Sequence, residues 1–216
     1  MNFIDPDGRD WYSHEKITRY KNGYVESETI YSWTDAKSKN EFEKLNIKGE
    51  YLGPIVVVFN GYYDERLGKN QNLAGEGAKT AQVTLYGNKS KNDIHEYIGY
   101  TMSSDPTRFG VIANGKYLVN HVDPNPKSKI PKEWAINYGI DVPGLNGYNP
   151  AHPEREDGHL EGTFVHRTNL NGYAGYDSKT GQAVSEGCLL ILASQWENFQ
   201  KQLGDSKKFM LILNRR

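Results

Sequence analysis

In 216 residues, 26 lysines and arginines nearly balance 27 aspartates and glutamates, and the mean hydropathy is −0.75. That balance leaves no charge excess for gripping nucleic acid or an anionic lipid surface. No apolar run approaches the roughly 20 residues of a membrane span, and a single cysteine allows no internal disulfide.

The length suffices for one well-buried domain plus an appendage. Met1–Trp11 is charged and carries a proline, so it does not read as a secretory signal. Within it, Asp5-Pro6-Asp7-Gly8 is a turn, with the fixed φ of proline beside a glycine able to take φ > 0. The whole string Asn2–Asp10 (NFIDPDGRD) also resembles the closing turn of the Rhs/YD-repeat core, where an encapsulating shell ends and a variable C-terminal toxin begins. That resemblance implies a toxin tip of the kind carried by type VI secretion effectors, with the Rhs carrier shell supplying delivery. Trp11–Gly49 reads as a leader, in which Tyr24–Trp33 alternates as a strand and Ala36–Leu45 is a short charged helix. Residues 1–50 show no chemistry-bearing pattern and are expected to serve as linker, flange or docking surface.

From Tyr51 the character changes. Ile55–Phe59 (IVVVF) has the β-branched composition of a central strand. Ala81–Tyr86, Glu96–Met102, Phe109–Ile112 and Lys116–His121 read as further strands, and Asn114-Gly115 is a hairpin signal. Gly61–Thr80 is a polar loop able to border a cleft. Many short strands with one late helix predict a mainly β domain, a sandwich or barrel, over residues 51–216. Asp123–Pro153 is proline-rich and longer than an ordinary connection, which suggests either a functional lid over a cleft or a disordered insertion. Its Trp134, Tyr138 and Tyr148 would either stack on sugar or peptide or pack the loop down.

Gly162–Leu192 is the stretch that suggests chemistry. An apolar strand ends on His166, a Gly- and Asn-rich loop follows, and Ser185-Glu186-Gly187-Cys188 opens the apolar run Leu189–Leu192. A cysteine is nucleophilic as thiolate, and a neighbouring imidazole can take its proton. Gly187 permits a tight turn, so that consecutive N–H groups can face a developing oxyanion. The plainer alternative makes Cys188 a small buried hydrophobe and His166 an ordinary polar residue. Six histidines also raise a metal reading, with His152, His159 and His166 spaced by seven and His121 beside Asp123. There is no His-Glu-x-x-His pattern to support it.

Histidine, a loop, Ser-x-Gly-Cys and an apolar strand together resemble the L,D-transpeptidases. The resemblance extends through Ser194-Gln195-Trp196-Glu197, a capping-box pattern opening a helix to Leu203, and a closing strand at Lys208–Leu213. It implies an L,D-transpeptidase-like β-sandwich or barrel with a short helix after the cysteine strand, plus a small N-terminal extension. It further implies Cys188 as nucleophile, His166 as base, Gly187 and Cys188 N–H groups as oxyanion donors, and Ser185 and Glu186 as motif residues. The substrate would be the tetrapeptide stem of peptidoglycan, with no cofactor, and a periplasmic immunity protein would be the partner of a toxin secreted into a target cell's periplasm. The sequence departs from the family at Leu190, where an arginine is usual, and at Glu186, commonly basic or histidine. Arg155 and Arg167 are the candidates to replace that arginine, and Trp134 and Tyr173 are candidate substrate contacts. Papain-like amidases place cysteine before histidine, the reverse of the order here, and sortases use a nearby downstream arginine, whereas Arg215 and Arg216 lie past the last predicted strand. A zinc-dependent cell-wall peptidase and a non-catalytic peptidoglycan-binding or carrier-capping module are the alternatives.

Overall fold

The computed structural model describes residues 9–65, 79–123, 133–171, 174–177 and 179–216. The Rhs-like turn and Tyr173 lie outside them. The chain divides into two compact units, Met1–Val56 with Tyr86–His95, and Val57–Leu85 with Glu96–Arg216.

In the first unit, β1 (Asp10–Arg19) and β2 (Val25–Thr34) form an antiparallel hairpin in register from Asp10↔Thr34 to Arg19↔Val25. Helix α1 (Lys39–Lys44) follows, then β3 (Glu50–Gly53), which pairs with β1 to give the order β2-β1-β3. Ser38 caps α1 by accepting the Glu41 N–H at 3.3 Å, while the Glu41 carboxylate accepts the Lys37 N–H at 2.8 Å. These bonds satisfy donors that the first turn would otherwise strand. Buried Phe42 packs on Tyr12 and Tyr51, and buried Trp11 on Trp33 and Tyr86. The Trp11 indole donates to the Gly87 carbonyl at 2.7 Å. β1 was not expected from sequence. Its far half projects into solvent on both faces, so it carries no apolar alternation to read.

The second unit is mainly β. The strands lying wholly or mostly in it are β4 (Val56–Gly61), β5 (Ala81–Tyr86), β6 (Ile94–Tyr100), β7 (Gly115–His121), β8 (Trp134–Ile136), β9 (Val142–Pro143), β10 (His159–Leu160), β11 (Phe164–Arg167), β12 (Leu189–Ile191) and β13 (Lys208–Arg215). Two helices accompany them, α2 (Pro106–Phe109) and α3 (Ala193–Leu203). Eight strands close a barrel in the order β11-β12-β6-β5-β4-β13-β7-β8. β4 is apolar and buried from Val56 to Phe59, as a strand covered on both faces must be. α3 sets Trp196, Phe199 and Leu203 into the core, where Phe199 meets Tyr97 and Phe209 edge-on.

Several sequence expectations are corrected. Phe109–Ile112 is not a strand; Phe109 ends α2, which Asp105 caps, and Ile112 makes only an isolated bridge to Gly144. Asn114-Gly115 closes no hairpin, because β7 pairs with β13 and β8. The Asn114 amide donates instead to Tyr63 and to the Arg215 carbonyl. The capping box at Ser194 does not form: the cap position is Leu192, two residues earlier, and the Ala193 N–H is taken by the Thr168 hydroxyl at 2.9 Å. Of residues 123–153, those from 124 to 132 lie outside the described residues, and the rest include barrel wall. Trp134 belongs to barrel strand β8 and is 3% exposed, its ring against His121 and Phe209. Tyr138 and Tyr148 stay exposed. Arg215 is the buried last residue of β13, not a tail beyond it.

Candidate active site

β11 and β12 are neighbouring parallel strands with His166 opposite Leu190. Cys188 directly precedes β12, so it stands two residues back from Leu190 on the strand beside His166. Ideal strand spacing would put two such positions about 8 Å apart, Cα to Cα. They are 22 positions apart along the chain, and the parallel pairing of β11 with β12 brings their segments side by side. Both are buried, His166 at 0% and Cys188 at 1%.

The His166 Nδ1 lies 2.8 Å from the Arg167 carbonyl. A carbonyl only accepts, which assigns the ring proton to Nδ1 and the lone pair to Nε2 in the neutral imidazole. The Cys188 thiol faces the Gly162 carbonyl at 3.7 Å. Gly187 has φ +110, a region that L side chains rarely enter. A Cβ there would meet only the Phe109 carbonyl at 3.7 Å and Thr163 Cγ2 at 3.9 Å, both ordinary contacts. Backbone conformation, not space, is therefore what demands glycine. Ser185 is fully buried and its hydroxyl donates to the Cys188 carbonyl at 2.7 Å, while Glu186 projects into solvent.

Leu190 sits in an apolar cluster with Tyr100, Met102, Val111, Ala174 and Val184. Neither arginine offered as a substitute there is idle. Arg155 donates to Asp157 through Nε at 3.1 Å and Nη2 at 2.9 Å, and to Glu161 at 2.6 Å. An incoming carboxylate would compete with two already in place. Arg167 donates to the Thr168 carbonyl at 3.0 Å. The spaced histidines do not share partners: His152 pairs with Glu154, His159 with Asp157, and His166 is fully buried with Nδ1 on the Arg167 carbonyl. Among the described residues, no group of three or more His, Cys, Asp or Glu is arranged to hold a metal ion.

Sequence reasoning missed a buried polar network beside this site. Thr101–Ser104 follows β6 and runs along the cysteine turn, since Tyr100 pairs with Leu190 and Ser104 bonds to Ser185. Buried Glu65 accepts from the N–H groups of Tyr62, Thr101 and Met102 and from the Thr101 hydroxyl. Arg215 donates to the carbonyls of Thr101 at 2.5 Å and Ile112 at 2.6 Å and to the Thr101 hydroxyl at 2.9 Å. Burial pushes the Glu65 carboxyl up against the four hydrogen bonds that lower it, and pushes Arg215 down to about 10, opposed by the charge of Glu65. The same burial, with Glu65 adding repulsion, raises the Tyr100 hydroxyl. No local pattern signals this network, because its members lie in four separate segments of the chain.

Compared with protein-family models, curated proteins and solved structures, the chain matches none of them. Also, among the described residues, no helix is long and apolar enough to cross a membrane.

Proposed function

We propose that the barrel is an L,D-transpeptidase-like cysteine acyltransferase acting on peptidoglycan tetrapeptide stems, carried as the toxin tip of an Rhs-type effector. The observation that supports it most is the parallel pairing of β11, which carries His166, with β12, which Cys188 directly precedes, together with a glycine at φ +110 immediately before the thiol. In this reading His166 Nε2 takes the Cys188 proton and the sulfur attacks the carbonyl carbon before the terminal D-alanine. Negative charge develops on the carbonyl oxygen, where the N–H groups of Gly187 and Cys188 receive it. The C–N bond then breaks, the imidazolium protonates the departing amine, and a thioester remains on Cys188. Water, a free D-amino acid or another stem resolves the thioester, giving carboxypeptidase, exchange or cross-linking chemistry respectively. Because Cys188 is buried, the loops around it must open to admit a stem.

Purified muropeptides incubated with the protein and read by mass spectrometry test this. Loss of the terminal residue from tetrapeptide stems, abolished by Cys188→Ala and nearly so by His166→Ala, is expected, since base and nucleophile act as a unit. Stems processed equally by Cys188→Ala would refute it. Delivery to the periplasm, with a periplasmic immunity protein as partner, is part of the same proposal. Export of the protein to the bacterial periplasm should be harmful and retention in the cytoplasm tolerated, and the reverse would point to another substrate.

A further inference from the structure

We propose that Ser104 is the positioning residue of the Cys188 turn, a role that rests on the cysteine chemistry above. Ser104 and Ser185 lie 81 residues apart in sequence yet exchange two hydrogen bonds. The Ser104 N–H donates to the Ser185 carbonyl at 2.8 Å, and the Ser185 N–H donates to the Ser104 hydroxyl oxygen at 3.0 Å. The hydroxyl's own proton goes to the Gly175 carbonyl at 2.6 Å, with the Ala174 carbonyl next at 3.2 Å. Ser185 continues the chain by donating its hydroxyl to the Cys188 carbonyl. One side chain therefore ties together the end of β6, the loop between His166 and Cys188, and the turn that presents the thiol.

A serine suits this point chemically. Its hydroxyl gives one proton and takes another: the Gly175 carbonyl, which already accepts the Val184 N–H at 2.8 Å, takes the proton on its second lone pair, and the Ser185 N–H finds its acceptor. Ser104, Ser185, Ala174 and Cys188 are all buried. Water cannot easily replace a lost partner there, so alanine would strand the Ser185 N–H. The apolar neighbours Met102, Val184 and Ala174 supply adhesion but no direction. Direction comes from the hydrogen bonds, which fix the Ser185 peptide and the Cys188 carbonyl on either side of Gly187. The Gly187 and Cys188 N–H groups between them are thereby aimed, and catalysis by such donors depends on their being preset.

The test uses the full chain. Cys188 is the only cysteine, so thiolate absorbance at 240 nm, blanked with Cys188→Ala, reports its ionisation without requiring a reagent to reach a buried sulfur. In Ser104→Ala the thiolate should appear at higher pH than in wild type. Its kcat on tetrapeptide stems should fall about 10- to 100-fold, the effect of a misplaced reacting group, with KM unchanged, and Ser104→Thr should recover both. A wild-type thiol more acidic than free cysteine, whose ionisation and kcat are the same in Ser104→Ala, overturns the positioning role alone. A wild-type thiol that ionises like free cysteine overturns the acyltransferase reading and this role with it. Should Ser104→Ala fail to fold, hydrogen exchange in the wild type decides. The Ser185 amide should be protected, and exchange as fast as an exposed loop amide overturns the proposal.

Discussion

Replacing Gly187 by alanine separates backbone strain from steric fit at the centre of the proposed site. The added Cβ would lie 3.7 and 3.9 Å from its nearest neighbours, so it meets no overlap. What remains is the cost of holding an L residue at φ +110, about 1–3 kcal/mol. In a protein of this size about 1 kcal/mol moves Tm by about 2–4 °C, so calorimetry should show a fall of about 2–12 °C. Gly181→Ala is the matched control. Gly181 also has positive φ (+67) with nothing within 4 Å, but it lies in the exposed part of the loop. It should lose comparable stability while stem processing persists. In Gly187→Ala processing should fall as well, because a turn that relaxes to negative φ re-aims its N–H groups. A Gly187→Ala protein that melts with wild type and keeps full turnover would refute the reasoning.

Two further perturbations probe the surroundings of the site. Arg215→Met strips the donors from two buried carbonyls, those of Thr101 and Ile112, at about 1–3 kcal/mol each; denaturant unfolding should show that loss, and an unchanged midpoint would mean that water replaces the guanidinium. Asp177 is held below the usual carboxylate value chiefly by the Thr180 N–H at 2.8 Å, with Lys179 N–H and Asn169 also donating to it. A lowered folded pKa means that its stabilisation is present above the ordinary value near 3.8 and is lost as pH falls through the folded value. The Tm advantage of wild type over Asp177→Asn should therefore be flat above about pH 4 and shrink in more acid solution; an advantage that stays constant on acidification would contradict the assignment.

Much of the barrel was legible because its strands are short apolar runs with local punctuation. Val56–Phe59, Ala81–Tyr86, Leu189–Ile191 and β13 are buried stretches that hydrophobicity alone marks. Position by position, His166 and the Ser185–Cys188 turn were legible too, since glycine before a thiol is a local demand on φ. Local signals failed where a distant partner decided the outcome. Asn114-Gly115 has hairpin chemistry, but the strand beside β7 is β13, almost a hundred residues later. Ser194 has capping chemistry, but the Thr168 hydroxyl, brought in by β11, takes the first helical N–H. Trp134 looked like a lid aromatic because its flanks are polar and proline-rich; pairing with β7 and β11 drew it into the wall.

Candidate chemistry could be read from the chain alone, because nucleophilicity, basicity and a glycine's reach are properties of single residues and their neighbours. Their neighbours were set by the tertiary fold. Barrel closure set β11 parallel to β12 and so brought the strand of His166 beside the one that Cys188 precedes, put Leu190 in an apolar cluster, and buried Arg215 against Thr101 and Ile112. It also laid Ser104 against Ser185. Hydrogen bonds and burial between segments tens of residues apart leave no local trace, because a polar residue reads the same whether water or a buried carbonyl will be its partner.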